Sequence, residues 1–454
     1  MTQEDRISQE LSSHRALFFI HPFLEEHPNA NLFLVGGAVR DVLLARRIRE
    51  CDFDFVVQGV DQVSLETWLK KYGEVNLVGQ HFGVFKFVPT DSNRTVPYID
   101  IALPRTEAVA EGSLGGYKDF DIQSDPNLPI ESDLARRDFT INAMAFDVRN
   151  RILIDPFDGQ KDLAQRRLRA VGSAEERFRE DLSRILRGIR FAVELECDVE
   201  EKTDAAMKVL LPALNQQREV EGKLEYVVPR ETVGLELAKM LSRNPTKAMG
   251  YFQTYGLFQE LFPNVHDHLQ ETQGYLDPLT QTLAGELSVV LTLLLRNLNA
   301  ESIRQTLTFT GLTGLERGTS YRVEVDKLVF LIGLLQKNLS AQDVAHMRAS
   351  EFERCFFDTK GMIFLRILEC LGKDATAQAI QERREDIEER WLVTHDETIA
   401  PLLSGQDVLA QGVAPGPEVR AWLDRVRDLQ LDGKLMRREE ALHWLEQEKQ
   451  KSSS

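Results

Sequence analysis

Asp52 and Asp54 stand two residues apart in the stretch LFLVGGAVRDVLLARRIRECDFDFVV, shortly after the glycine pair Gly36-Gly37. Residues two apart on a strand share a face, so both carboxylates would project together while Phe53 and Phe55 enter the opposite layer. Paired carboxylates suit hard divalent cations, and Mg2+ often takes only one or two of them plus substrate phosphates. Two such ions can activate a hydroxyl and stabilise a leaving pyrophosphate, which is the chemistry of nucleotidyl transfer. The glycines supply the second half of that chemistry. Residues 32–35 are an apolar run ending in Gly36-Gly37, and AVRDVLLARR has helical spacing and good helix formers. Strand, glycine turn, helix is the implied order. Glycine lets backbone N–H groups approach an oxyanion, and the helix start adds partial positive charge. Arg40, in the first turn, can reach a phosphate. Taken singly, a glycine pair is a tight turn and an acid-x-acid pair is a solvated strand edge; their order and closeness favour a site on a strand predicted to run from Asp52 to Val57.

A second constellation follows. In DLARRDFTINAMAFD, Arg136 and Arg137 precede an acid and an alternating apolar stretch that predicts a chain entering the same sheet, and one of these arginines can clamp a triphosphate. In ERFREDLSRILRGIRFAVELE, projection from Asp181 at about 100° per residue puts Leu182, Ile185, Leu186, Ile189 and Val193 on one face. Arg184 and Arg187 fall opposite it, with Asp181 and Arg190 at its margins. Asp181 can accept from an exocyclic amino group while Arg184, one turn on, donates to the adjacent ring acceptor. Cytosine and adenine present that edge; uracil and guanine would leave buried polar groups unpaired. Arg187 and Arg190 then remain for a triphosphate or for bracing the aspartate.

The elements that carry these residues belong to a chain of 454 residues, long enough for several cores. Its net charge of −17 argues against a general polyanion binder. Between Arg136 and Arg190, however, 13 Arg or Lys face 9 Asp or Glu, so a nucleic acid would meet a local basic surface on an acidic body. The four cysteines, including Cys51 and Cys197, are scattered without a CxxC pair and indicate neither zinc nor a disulfide framework. A polar N-terminus and the absence of any apolar run of spanning length predict a cytoplasmic protein with no membrane contact.

Taken as a set, GGAVRD with DFD, RRDFTINAMAFD, DPFDGQKDL and RFREDLSRILRGIRF resemble the class II tRNA nucleotidyltransferases, the CCA-adding enzymes, within the nucleotidyltransferase and poly(A) polymerase family. The motifs cover about residues 32–195 in the family's order. VPRETVGLELAKML, with Arg230, Glu231 and Glu236, is similar to the element that supports the family's base-reading helix. The resemblance implies that Asp52 and Asp54 are catalytic and bind Mg2+, and that Gly37, Arg40, Arg137, Asp181, Arg184, Arg187 and Arg190 bind the nucleotide. It implies an α+β fold: a small nucleotidyltransferase head of sheet and helices over residues 1–165, then an all-helical neck (166–250), body (251–385) and tRNA-binding tail (386–454). The implied substrates are tRNA, CTP and ATP, with no protein partner evident.

Relatives that add poly(A) carry a basic pair where this chain has Gln80 and His81, which favours tRNA repair. The glycine- and acid-rich segment 105–133 is similar to the loop used in switching from C to A; A-only and CC-only activity stay open. Two rivals come from other classes. A non-catalytic tRNA-binding scaffold is disfavoured by the intact acid pair, and a hydrolase is supported only by His266-Asp267-His268 and His395-Asp396. Farther along, NQQREVEGK reads as a loop, residues 287–298 as a buried apolar helix, REDIEER as a solvated helix face or linker, PGPEV as the turn into a last helix and EKQKSSS as a frayed end.

Overall fold

Residues 31–35 and the segments that pair with them build a seven-stranded sheet in the order 73–78, 84–89, 99–102, 54–58, 31–35, 145–147, 152–154. The computed structural model describes residues 2–46, 53–78, 84–90, 98–109, 114–116, 120–265, 272, 274–276, 287–315, 321–391 and 399–452. Asp52, Cys51, Gln80, His81, the 266–268 and 395–396 motifs and parts of the 105–133 segment lie outside the described residues.

The strands are β1 (Asn31–Val35), β2 (Asp54–Gln58), β3 (Gly73–Val78), β4 (Val84–Pro89), β5 (Ile99–Ala102), β6 (Arg105–Val109), β7 (Phe120–Ser124), β8 (Ala145–Asp147) and β9 (Ile152–Ile154). β6 and β7 form a separate hairpin. β2 is antiparallel to β1 and parallel to β5. The predicted second strand begins at Asp54 and runs one residue past Val57.

Alternation along these strands sorts the side chains into two layers, as a pleated backbone requires. Leu32, Leu34, Phe53, Phe55, Val57, Phe85, Phe87, Ile99 and Ile101 form one core with Val39 and Val42 of α3 (Gly37–Leu43) and with Leu65 and Trp68 of α4 (Gln62–Leu69). Phe33, Val35 and Val56 face the other way and pack on Ile130 and Leu134 of α5 (Ile130–Ala135), Ala145 and Val171. Asp54 shares its parity with Val56, so it opens onto this second face. β8 does enter the sheet beside β1, as the apolar stretch after Arg137 predicts.

The chain divides into two compact units, Met1–Met240 with Gly250–Glu260, and Leu241–Met249 with Leu261–Ser454. Along the chain the sheet is followed by α6 (Gly159–Ala164), α7 (Ala174–Glu180), α8 (Ser183–Leu195), α9 (Glu201–Leu210) and α10 (Arg230–Arg243). The segment after the head is not all helical. Arg167–Leu168 pairs in parallel with Asp198–Val199, and Gln217–Val220 pairs with Lys223–Tyr226 in a hairpin. The expected loop NQQREVEGK is therefore mostly strand and tight turn. Glu221 and Gly222 both take positive φ, 51° and 77°, the conformation of a two-residue hairpin turn that matches strand twist.

The second unit is helical among its described residues. Leu287–Leu295 is buried as expected. REDIEER lies inside the helix Asp374–Trp391, where Arg384 and Glu388 are buried and paired at 3.2 Å rather than solvated. The helix after PGPEV, Pro417–Leu431, is followed by another, Arg438–Ser452, so the expected frayed end is helical through Ser452. Trp422, Val426, Leu435 and Leu445 join these last helices in one core. Among the described residues no helix is long and apolar enough to cross a membrane.

Candidate active site

Gly36 ends β1 at φ 72° and ψ −134°, backbone territory that a side chain disfavours, and it caps α3. A Cβ at this position would stand 2.9 Å from Arg137 Nη1 and 3.6 Å from Asp54 Oδ2. The glycine turn, the acid of β2 and the arginine after α5 thus converge on one point. At Gly37 a Cβ would lie 3.4 Å from Arg40 Nη2, so the guanidinium of Arg40 folds back over the same turn. Of the predicted metal-binding pair, the structure places Asp54; Asp52 is outside the described residues.

β5 brings a second described carboxylate. Asp100 is registered directly against Asp54 on the parallel neighbour strand, so both side chains rise on the same face. Its Oδ1 is buried without a hydrogen-bond partner, and burial pushes the carboxyl up, partly offset by Lys86. An orphaned oxygen beside Asp54 is what a cation-binding carboxylate looks like before its cation arrives, since buried acceptors are otherwise paired. Arg137 Nε is likewise buried without a partner. The two atoms offer an acceptor for a cation and a donor for a phosphate. Sequence reasoning missed Asp100, whose signal was a lone acid in the alternating strand YIDIA.

A bonded chain runs from Arg40 of α3 to Arg187 of α8. Arg40 donates from Nε to Asp41 at 2.9 Å and from Nη1 to Asn142 Oδ1 at 2.8 Å. Asn142 Nδ2 donates to Asp138 Oδ1 at 3.2 Å, and Asp138 Oδ2 accepts Arg187 Nε at 2.8 Å. Burial pushes the Asp138 carboxyl up, but Arg187, Asn142 and the Phe139 N–H more than offset it and hold it at about 2. Arg187 is raised in turn, first by Asp138. Asp138 is the acid after Arg137 in the sequence, and its pairing with Arg187 bridges the sheet domain to α8. Arg137 itself donates to Asp133 at 3.3 Å and to the Asn142 carbonyl at 3.5 Å.

The apolar face projected for this helix is buried as expected, but Asp181 is not part of the helix. Asp181 is extended, at φ −148° and ψ 103°, and α8 starts only at Ser183 with Leu182 as its cap. Neighbouring elements cover nearly the whole circumference of this helix, so Arg184 and Arg190 are buried where solvent exposure or a margin was expected. Arg184 donates to Glu180 at 2.9 Å and to the Arg136 carbonyl at 3.2 Å, and its Nε is 4.0 Å from Asp181 Oδ2. Asp181 Oδ1 accepts the Ser183 N–H. Arg190 is committed to Glu236 at 2.5 Å and Glu194 at 2.8 Å, and lies over the Phe191 ring. Its role is to brace α8 on α10 through Glu236.

Residues 32–169 match the family model for the poly A polymerase head domain. The chain is 38% identical over 234 residues to a multifunctional CCA protein of Neisseria gonorrhoeae (strain NCCP11945), covering 51% of this chain and 50% of that protein. It is 35% identical over 237 residues to one from Xylella fastidiosa (strain 9a5c), covering 52% and 50%. The chain thus matches about half the length of these curated relatives. Among solved structures, the Bacillus stearothermophilus CCA-adding enzyme in complex with CTP superposes with a TM-score of 0.70 at 20% identity, covering 97% of this chain and 98% of that one. The Thermotoga maritima CCA-adding enzyme complexed with tRNA gives 0.60 at 23% identity, with 97% and 98% covered. At these identities the likeness to solved structures is one of fold.

Proposed function

We infer that this chain, with a poly A polymerase head domain on residues 32–169 and the fold of the CCA-adding enzymes, is a template-independent tRNA nucleotidyltransferase that builds CCA on tRNA 3′ ends from CTP and ATP. The convergence of Gly36, Asp54, Arg137 and Arg40 on one turn carries this reading. In the reaction the tRNA 3′-hydroxyl gives its proton to solvent as its oxygen bonds to the α-phosphorus, the bond to the bridging oxygen of the β-phosphate breaks and pyrophosphate leaves. Arg40 and Arg137 bind the phosphates and offset their charge, and the backbone at Gly37 lets them come close. Asp54 and Asp100, with Asp52 on the same short segment, suit a divalent cation, read as Mg2+. When bound, it supplies charge stabilisation for the attacking and leaving oxygens.

Base choice falls to Asp181 and Arg184. Asp181 Oδ2 accepts from the amino group of cytosine or adenine, and Arg184 exchanges its Glu180 bond for the adjacent ring acceptor. Arg187 and Arg190 keep α8 in place. The reading includes the division into head (1–165), neck (166–250), body (251–385) and tail (386–454), with tRNA on the tail, and a cytoplasmic site of action.

A second reading, poly(A) synthesis, is favoured by the description of the matching head domain. One assay separates them: tRNA transcripts ending before CCA, after C and after CC, each offered single labelled nucleoside triphosphates. Stepwise C, C and A is expected. A-only or CC-only extension would narrow the activity, and long A tails would replace it. Asp54→Ala should abolish incorporation while tRNA binding persists. Arg184→Ala should raise misincorporation of U or G; uniform loss without misincorporation would remove base reading from this residue.

A further inference from the structure

Asn142 is buried at the end of a short 3-10 turn, Thr140–Asn142, that joins the Arg136-Arg137-Asp138 segment to β8. The turn is pinned from below, since Thr140 Oγ1 donates to Asp162 Oδ2 at 2.7 Å and Arg169 Nε donates to the same oxygen at 2.8 Å. On this fixed base the amide of Asn142 lies between two opposite charges. Its Oδ1 accepts Arg40 Nη1 at 2.8 Å and its Nδ2 donates to Asp138 Oδ1 at 3.2 Å. Its main-chain carbonyl accepts Arg137 Nη1 at 3.5 Å. One residue therefore touches Arg40 and Arg137 and, through Asp138, fixes Arg187.

Placing an amide there has a chemical consequence. Arg40 already pairs with Asp41 at 2.9 Å, and Asp138 reaching for it as well would set a second carboxylate on the arginine that faces the glycine turn. The neutral amide satisfies both without transferring charge between them. Only a carboxamide of this length offers an acceptor to a guanidinium and a donor to a carboxylate at once. Aspartate cannot donate, a hydroxyl is too short to bridge, and an aliphatic side chain would cost each charged group one hydrogen bond.

We propose that Asn142 is a positioning residue that acts as a neutral spacer: it holds Arg40 over the phosphate-binding turn, keeps Asp138 from adding a second carboxylate to the Arg40–Asp41 pair and keeps Asp138 committed to Arg187. The proposal rests on the nucleotide-transfer reading above and concerns how tightly the site takes the triphosphate. Its effect is on nucleotide affinity more than on the fold.

The test uses the full chain and compares Asn142→Ala with the isosteric Asn142→Asp, reading the CTP dissociation constant by calorimetry without tRNA. Incorporation on tRNA and thermal melting run in parallel. Loss of one hydrogen bond to a charged group corresponds to about tenfold, so Asn142→Ala should weaken CTP by about tenfold. Asn142→Asp should weaken it further, by about a hundredfold, because the new carboxylate pairs with Arg40 and repels Asp138. Both variants should melt below the parent yet remain folded at the temperature of the binding assay. Unchanged CTP affinity in a folded variant, a smaller loss for Asp than for Ala, or loss of the folded state in both would overturn the proposal. If the parent binds CTP but extends no tRNA, the transfer reading falls while the Asn142 comparison still decides; if the parent binds no CTP, both fall.

Discussion

Replacing Asp138 with asparagine keeps the shape of the side chain and reverses part of its polarity. Oδ1 of Asp138 accepts from the Phe139 N–H at 2.8 Å and from Asn142 at 3.2 Å, while Oδ2 takes the paired Nε and Nη2 of Arg187 at 2.8 Å. In Asp138→Asn the amide nitrogen occupies the Oδ2 place and aims donors at donors. The carboxyl is lowered from 3.8 to about 2 in the folded chain, a shift that corresponds to about 2 kcal/mol of stability. The sign follows from the direction. A depressed acid stabilises the fold above its unfolded value, and that contribution fades as pH falls through the folded value. The difference in unfolding free energy between parent and Asp138→Asn should therefore be about 2 kcal/mol at pH 7, hold down to about pH 5 and shrink between about pH 4 and pH 2. Urea titrations at stepped pH, with amide exchange across residues 183–195 as the local probe, measure it. A difference independent of pH down to pH 3 would refute the assignment of this stability to the Asp138–Arg187 pair, and so would unchanged exchange in α8.

Gly36→Ala puts a Cβ at positive φ and 2.9 Å from Arg137 Nη1; about 2 kcal/mol of strain and a loss of triphosphate binding of about tenfold are expected by calorimetry, and normal binding would show that Arg137 does not need its present place. Asp100→Asn should separate chemistry from folding. Nucleotide incorporation should fall by about a hundredfold, yet thermal melting at pH 7 should not fall, because burial already disfavours the charged carboxylate. A folded variant with full activity would remove Asp100 from the site.

Gly36, Arg40 and Asp54 were legible because strand, glycine turn, helix and strand are nearly contiguous, and their geometry follows from strand alternation and helix spacing alone. Asp100 was not. Its partner strand is distant in sequence, and only the parallel pairing of β2 with β5 shows that a solitary acid stands beside Asp54. The resemblance supplied the arginines of α8, but their burial depends on what surrounds the helix: periodicity sees one apolar stripe, whereas Arg184 and Arg190 are enclosed by Glu180, the Arg136 carbonyl, Glu194 and Glu236. Asn142 left no trace in the sequence, since an amide between an arginine and an aspartate matters only once three separate segments meet. The hairpin at Glu221-Gly222 is the opposite case. Its alternating flanks and turn pair carried the signal, and a polar composition concealed it.

In β2 and β5 the acids and the aromatic and aliphatic residues that flank them occupy alternate positions, so one frame of alignment serves both layers. Sliding either strand by a single position would drive a carboxylate into the phenylalanine layer and expel a ring to the cleft. Misassembled copies would thus be disabled and unstable together, which leaves no inert but persistent population.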